Sequence, residues 1–159
     1  MSLPRKRRNF WDDSEATPED TKRGTANRAR VLKGLIRHAL SAEPLDAARV
    51  AQWHKDGFSG LSYVELTDEC LLGAYRGTDH PRLKNMYVRV GGIDGAPPRE
   101  VNEELQRFFG QLQKRVGDLG TRIKLDQDKS REEVRQIAEV AGWAHGEWVR
   151  GHWGQGFTL

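Results

Sequence analysis

The stretch Val134–Arg150, V-R-Q-I-A-E-V-A-G-W-A-H-G-E-W-V-R, decides the fold. Residues 151–159, G-H-W-G-Q-G-F-T-L, decide what that fold can do. In the first segment Val134, Ile137, Ala138, Ala141, His145, Trp148 and Val149 recur at helical spacing and predict one buried stripe. Ser130 with Glu133 predicts a capping box at the helix start. The second segment carries no apolar period, although it keeps a histidine, His152.

Working backwards, Pro97-Pro98 opens another helix, because a proline in the first turn loses no intrahelical hydrogen bond. Val101, Leu105, Phe108, Phe109, Leu112 and Val116 form its expected stripe, and Gly117 to Gly120 reads as a break. Before it, Met86 to Val90 alternates apolar and polar residues. With Ala74-Tyr75-Arg76 it predicts a β-hairpin with a long connection, closed by Gly91 and Gly92. Asp46 is an expected N-cap for a helix whose face holds Ala47, Val50, Ala51 and His54 and which Gly57 stops. Val31, Leu32, Leu35, Ile36, Ala39 and Leu40 predict a short first helix ended by Glu43-Pro44. Residues 1–27 read as a flexible charged tail in which only Phe10 and Trp11 suggest docking. The fold class is therefore mainly α with one small inserted hairpin.

The chain has 159 residues, enough for one domain with a real core. With 36% hydrophobic and 31% charged residues it reads as a soluble globular chain. A single cysteine, Cys70, excludes an internal disulfide and fits a cytoplasmic location. Nothing reads as a signal peptide or membrane span. Much of the net charge of +3 sits in Arg5, Lys6, Arg7 and Arg8. Such a short run supplies only a few phosphate contacts, so nucleic acid is not the expected partner.

The pieces resemble, in order, the Fic/Doc family. G-A-Y-R, Gly73 to Arg76, is similar to the family's A-G-x-Y-R. M-Y-V-R-V-G-G followed by Pro97-Pro98 and a long helix looks like its hairpin "flap", proline turn and third helix. A-G-W-A-H-G-E-W-V-R, Ala141 to Arg150, resembles the helix that leads into the family's signature. The resemblance spans roughly residues 45 to 150 and implies a Fic-like helical bundle over 28–150. It also implies AMP transfer from ATP to a hydroxyl on a target protein, with Mg2+ bridging the phosphates. The flap, here Tyr87, Val88, Arg89 and Val90, is implied to hold the target by strand addition.

The family signature is H-P-F-x-(D/E)-G-N-G-R. Laid on this sequence, His152 falls on the catalytic histidine, the general base for the target hydroxyl. Trp153, Gly154 and Gly156 then stand for the proline, the phenylalanine and the metal-binding acid, and Phe157 to Leu159 replace the phosphate-cradling turn. The match assigns no nucleotide-binding and no metal-binding residue. The final core helix is expected to be missing, and 151–159 to be a divergent tail. An abrupt change after Arg150 is the expected mark of a frameshift or premature stop, since gradual decay would also scatter changes along the preceding helix.

The expected function is thus a protein adenylyltransferase by family, inactive as it stands and binding neither ATP nor Mg2+. The alternative is a module that binds a target or an antitoxin-like partner through the flap. A second alternative is a small basic helical protein that binds nucleic acid through Arg5–Arg8. No Ser or Thr is followed four residues later by Glu, so the family's (S/T)-x-x-x-E-(G/N) inhibitory pattern is missing. His54 and His145 sit on apolar faces and read as core or boundary residues; no histidine–carboxylate spacing suits a metal. Without a following helix, part of the Val134–Val149 stripe is expected to be exposed and to promote self-association.

Overall fold

A computed structural model describes residues 16–41, 43–62, 72–90, 92–124 and 127–151. The chain is mainly helical: α1 (Pro18–Ser41), α2 (Ala47–Phe58), α3 (Val101–Gly120) and α4 (Arg131–Gly151). Two short strands, β1 (Arg89–Val90) and β2 (Ile93–Asp94), lie between α2 and α3, and a 3-10 turn (Pro98–Glu100) feeds α3. α1 packs on α2 and α3 packs on α4, with α2 touching α3.

The helix expected from Val31 begins instead at Pro18, so the boundary near residue 27 falls inside α1. Thr17 starts it. Its hydroxyl accepts a hydrogen bond from the Asp20 N–H (3.1 Å), and the Asp20 carboxylate accepts one from the Thr17 N–H (2.9 Å). This is a reciprocal cap with proline at the first helical position. The inward face of α1 holds buried Asp20, Gly24 and Asn27 and half-buried Val31, Gly34 and His38. Leu32, Leu35, Ile36 and Leu40, the expected stripe, face outward.

The seam between α1 and the end of α2 is polar. Asn27 Nδ2 donates to the Ser59 and Gly57 carbonyls (2.9 and 3.4 Å), and Arg23 Nη1 donates to the Gly60 carbonyl (2.6 Å). The Asp20 carboxylate accepts from the Ser62 N–H and hydroxyl (2.6 and 2.5 Å). Asp46 caps α2 as expected, its carboxylate accepting from the Arg49 N–H at 2.7 Å. α2 runs one residue past Gly57, and Gly60 at φ +70° then turns the chain.

The seam between α3 and α4 is apolar. Val101, Leu105, Phe108, Phe109 and Trp148 form one buried cluster, joined by Leu45, Val50, Tyr75 and Trp143. Phe108 stacks on Trp143 (5.8 Å, 21°), and the Arg115 guanidinium lies 4.2 Å over the same indole. The expected break at Gly117–Gly120 is helical. These glycines meet open space on the helix surface, and the bonds that close α3 fall beyond them, from the Arg122 and Ile123 N–H groups to the Leu119 carbonyl. The Ser130–Glu133 capping box is present, at 2.8 and 3.2 Å.

In α4 the buried side is set by Trp143, Ala144 and Trp148, not by the whole expected stripe. His145 and Ala138 are exposed, as are Val134, Ile137 and Val149. Helical spacing permits two neighbouring faces here, and the aromatic pairing of Trp143 with Phe108 selects one of them.

Candidate functional site

Of the strand expected over Met86–Val90 only Arg89–Val90 forms, as β1, and its ladder partner is not the expected Ala74–Arg76. β1 pairs with the residues that follow it: Arg89 lies opposite Asp94 and Val90 opposite Ile93, antiparallel. The connection is Gly91-Gly92, with Gly92 at φ +82°, the short glycine loop that suits strand twist. The Gly95 N–H donates to the Val88 carbonyl at 2.9 Å. That bond makes Arg89–Asp94 a pair without ladder bonds of its own, so the Arg89 N–H and carbonyl point away from β2. Arg89 also grips Asp94 through two side-chain bonds, Nε–Oδ1 at 2.5 Å and Nη2–Oδ2 at 2.9 Å. The hydrogen bonds from Arg89 hold the Asp94 carboxyl below its ordinary value. Both side chains are exposed, so the pair fixes geometry and adds little stability. Tyr87 is 76% exposed beside this edge, and Val88 is half-buried.

The hairpin is tied to the rest of the fold by Arg76, which is 1% exposed. Its Nη1 donates to the carbonyls of Met86 (3.0 Å) and Ala96 (2.9 Å), and its Nη2 donates to the carbonyl of Gly151 (3.2 Å). The Ala96 N–H donates to that same Gly151 carbonyl at 3.2 Å. One guanidinium fork therefore joins both legs of the hairpin to the C-terminal end of α4. A cation also suits the negative end of a helix. Burial pushes the Arg76 pKa down, yet a guanidinium stays protonated at any physiological pH.

The loop that presents Arg76 is built tightly. Gly77 has φ +78°, and a Cβ there would fall 1.8 Å from the Pro98 carbonyl oxygen. Its N–H donates to the carbonyl of fully buried Leu83 at 2.9 Å. The Tyr75 hydroxyl donates to the Ala47 carbonyl at 2.9 Å. Burial, and secondarily the Asp46 carboxylate, pushes the Tyr75 pKa up, so the phenol stays neutral. His54 Nδ1 accepts from the Gly73 N–H at 3.1 Å, which is the boundary role expected of it.

Of the expected flap residues, Arg89 and Val90 form β1, and Tyr87 and Val88 precede it outside the strand. His152 lies outside the described residues, as do the rest of 152–159 and the basic run Arg5–Arg8. Arg76 belongs to the G-A-Y-R motif, which carries no mark of its bracing role. The nearest signal is a lone arginine inside an aromatic and glycine-rich loop.

Among the described residues no three His, Cys, Asp or Glu side chains converge to hold a metal. Residues 151–159 contain neither an acid nor an arginine. Among the described residues, too, no helix is long and apolar enough to cross a membrane. No protein family, curated protein or solved structure matches this chain.

Proposed function

We propose that this chain is a polypeptide-binding module on a Fic-like scaffold, with its adenylyl-transfer chemistry lost. The supporting observation is the Arg76 fork. It fixes the hairpin against the end of α4, where the family resemblance expects the target segment to be presented to the catalytic loop. The outward N–H and carbonyl of Arg89 then offer an added strand one donor and one acceptor, and the exposed Tyr87 stands two residues before it. The sequence departs from the catalytic half of the resemblance: 151–159 holds no carboxylate to match the magnesium-binding acid and no lysine or arginine for phosphate.

Two substitutions at one position separate strand addition from charge recognition. Arg89→Pro removes the outward N–H at a site where an edge strand tolerates proline. Arg89→Ala removes only the side chain. With a photo-cross-linking phenylalanine in place of Tyr87, covalent capture of a polypeptide is expected to survive Arg89→Ala and to vanish with Arg89→Pro. Equal capture by both variants overturns strand addition. Incorporation of label from radioactive ATP into any acceptor by the purified chain overturns the loss of chemistry.

A further inference from the structure

Two apolar surfaces have nothing packed on them among the described residues. One is a ridge on α1, where Leu32, Leu35, Ile36 and Leu40 are 57%, 40%, 52% and 80% exposed. Their i, i+3, i+4, i+8 spacing makes a single stripe. The face of α1 carrying Gly24, Asn27 and Val31 is the one turned inward, so the ridge is directed away. The other surface is a groove of about 340 Å3 between the second half of α3 and the first half of α4. Leu112, Val116, Leu119, Ile137, Val140 and Ala141 line it.

The two surfaces match in size and chemistry. At 1.5 Å per residue the ridge from Leu32 to Leu40 is about 12 Å long, and each groove wall, Leu112–Leu119 and Ile137–Ala144, about 10 Å. A helix stripe entering a groove between two helices is a common mode of protein recognition. Area decides the occupant. The ridge alone exposes on the order of 400 Å2, and the ridge with Val116 and Ile137 of the groove on the order of 600 Å2, against roughly 800 Å2 per partner in a stable interface. A foreign partner that used one surface would leave the other bare, and neither alone suffices. A second copy that exchanges both covers both, at about 1,200 Å2 in total, the lower bound for stable association.

The geometry points to a self-associated pair in which the α1 ridge of each copy lies in the α3–α4 groove of the other. This rests on the exposed faces alone and is independent of the flap reading.

The test is made on the full chain carrying Cys70→Ser. One preparation bears Ile36→Cys and a second bears Ile137→Cys. Sedimentation is expected to give twice 18.1 kDa, and mild oxidation of the mixture is expected to give mainly the mixed disulfide. Leu40→Asp and Val116→Asp, both at exposed sites and checked for unchanged helix content, are each expected to weaken association about tenfold or more. A monomer at every concentration overturns the inference; it is the outcome if residues 1–15 or 152–159 of the same chain cover the groove. Preferential linking of Ile137→Cys to itself overturns it too, because that reports groove against groove. So does unchanged association of both aspartate variants.

Discussion

Replacing Arg76 with alanine tests whether one side chain holds the hairpin to α4. The wild-type guanidinium makes three bonds to carbonyl oxygens, at 3.0, 2.9 and 3.2 Å, from a site that is 1% exposed. Hydrogen bonds that involve a charged group contribute about 1.5–3 kcal/mol each, so the gross loss is roughly 4–9 kcal/mol. The variant no longer carries the cost of burying a cation, which offsets several kcal/mol of this. The net destabilisation is then about 2–4 kcal/mol, a large share of the 5–15 kcal/mol of a typical domain. Arg76→Lys keeps the charge but cannot span Met86, Ala96 and Gly151 at once, and about 1–2 kcal/mol is expected. Urea unfolding measures both. Amide exchange localises the change: the Ala96 N–H, bonded to the Gly151 carbonyl, is expected to lose protection before the α3 core does. If Arg76→Ala costs less than about 1 kcal/mol and Ala96 exchange is unchanged, the fork does not join these elements.

Three further outcomes are expected. Gly77→Ala forces a side chain into a φ of +78° with its Cβ 1.8 Å from the Pro98 oxygen, and about 2–4 kcal/mol of stability should go, measured by thermal melting. Ser130→Ala breaks one half of the α4 capping box and should cost about 1 kcal/mol, read from the urea midpoint. Asp20 has the clearest pH signature. Bonds from Ser62 and then Thr17 hold its carboxyl well below the usual carboxylate range. A depressed folded pKa gives stability that is present above the unfolded value of about 3.9 and is lost as pH falls below it. Asp20→Asn should therefore flatten the acid limb of a stability–pH curve, and an unchanged acid limb would remove Asp20 as its cause.

What the sequence disclosed followed the range of each interaction. Asp46 and the Ser130–Glu133 box act within one helical turn, so local pattern was enough. The start of α1 was equally local, since Thr17-Pro18-Glu19-Asp20 carries a capping signal. Periodicity does not extend the helix back to it, because the inward face of α1 is built from Asp20, Gly24 and Asn27, which leave no hydrophobic period. The aliphatic stripe of α1 was visible, but its direction was not, because the partner of that face is not local. The observed hairpin differs from the expected one in partner: R-V-G-G-I-D holds both a glycine turn and its two strands, nearer in sequence than Ala74–Arg76. His145, expected in the α4 stripe, is exposed while Trp143 is half-buried, because burial in α4 is decided by Phe108, a residue of another helix. At the candidate site, alternation over Met86–Val90 marks a strand of which only Arg89–Val90 forms, since only these two residues have ladder partners across the glycine turn. The Arg76 fork was not legible, since its acceptors are backbone carbonyls and carry no sequence mark.

The two seams differ in kind, and so in what dissolves them. α1 is fastened to the end of α2 by Asp20, Arg23 and Asn27, whereas α3 and α4 meet through Phe108, Trp143 and Trp148. Apolar contact weakens on cooling, while a carboxylate-centred network fails on protonation. Frost and acid should accordingly open this molecule from opposite halves. Trp53 in α2 and Trp143 in α4 supply an indole on each side to report which half has parted.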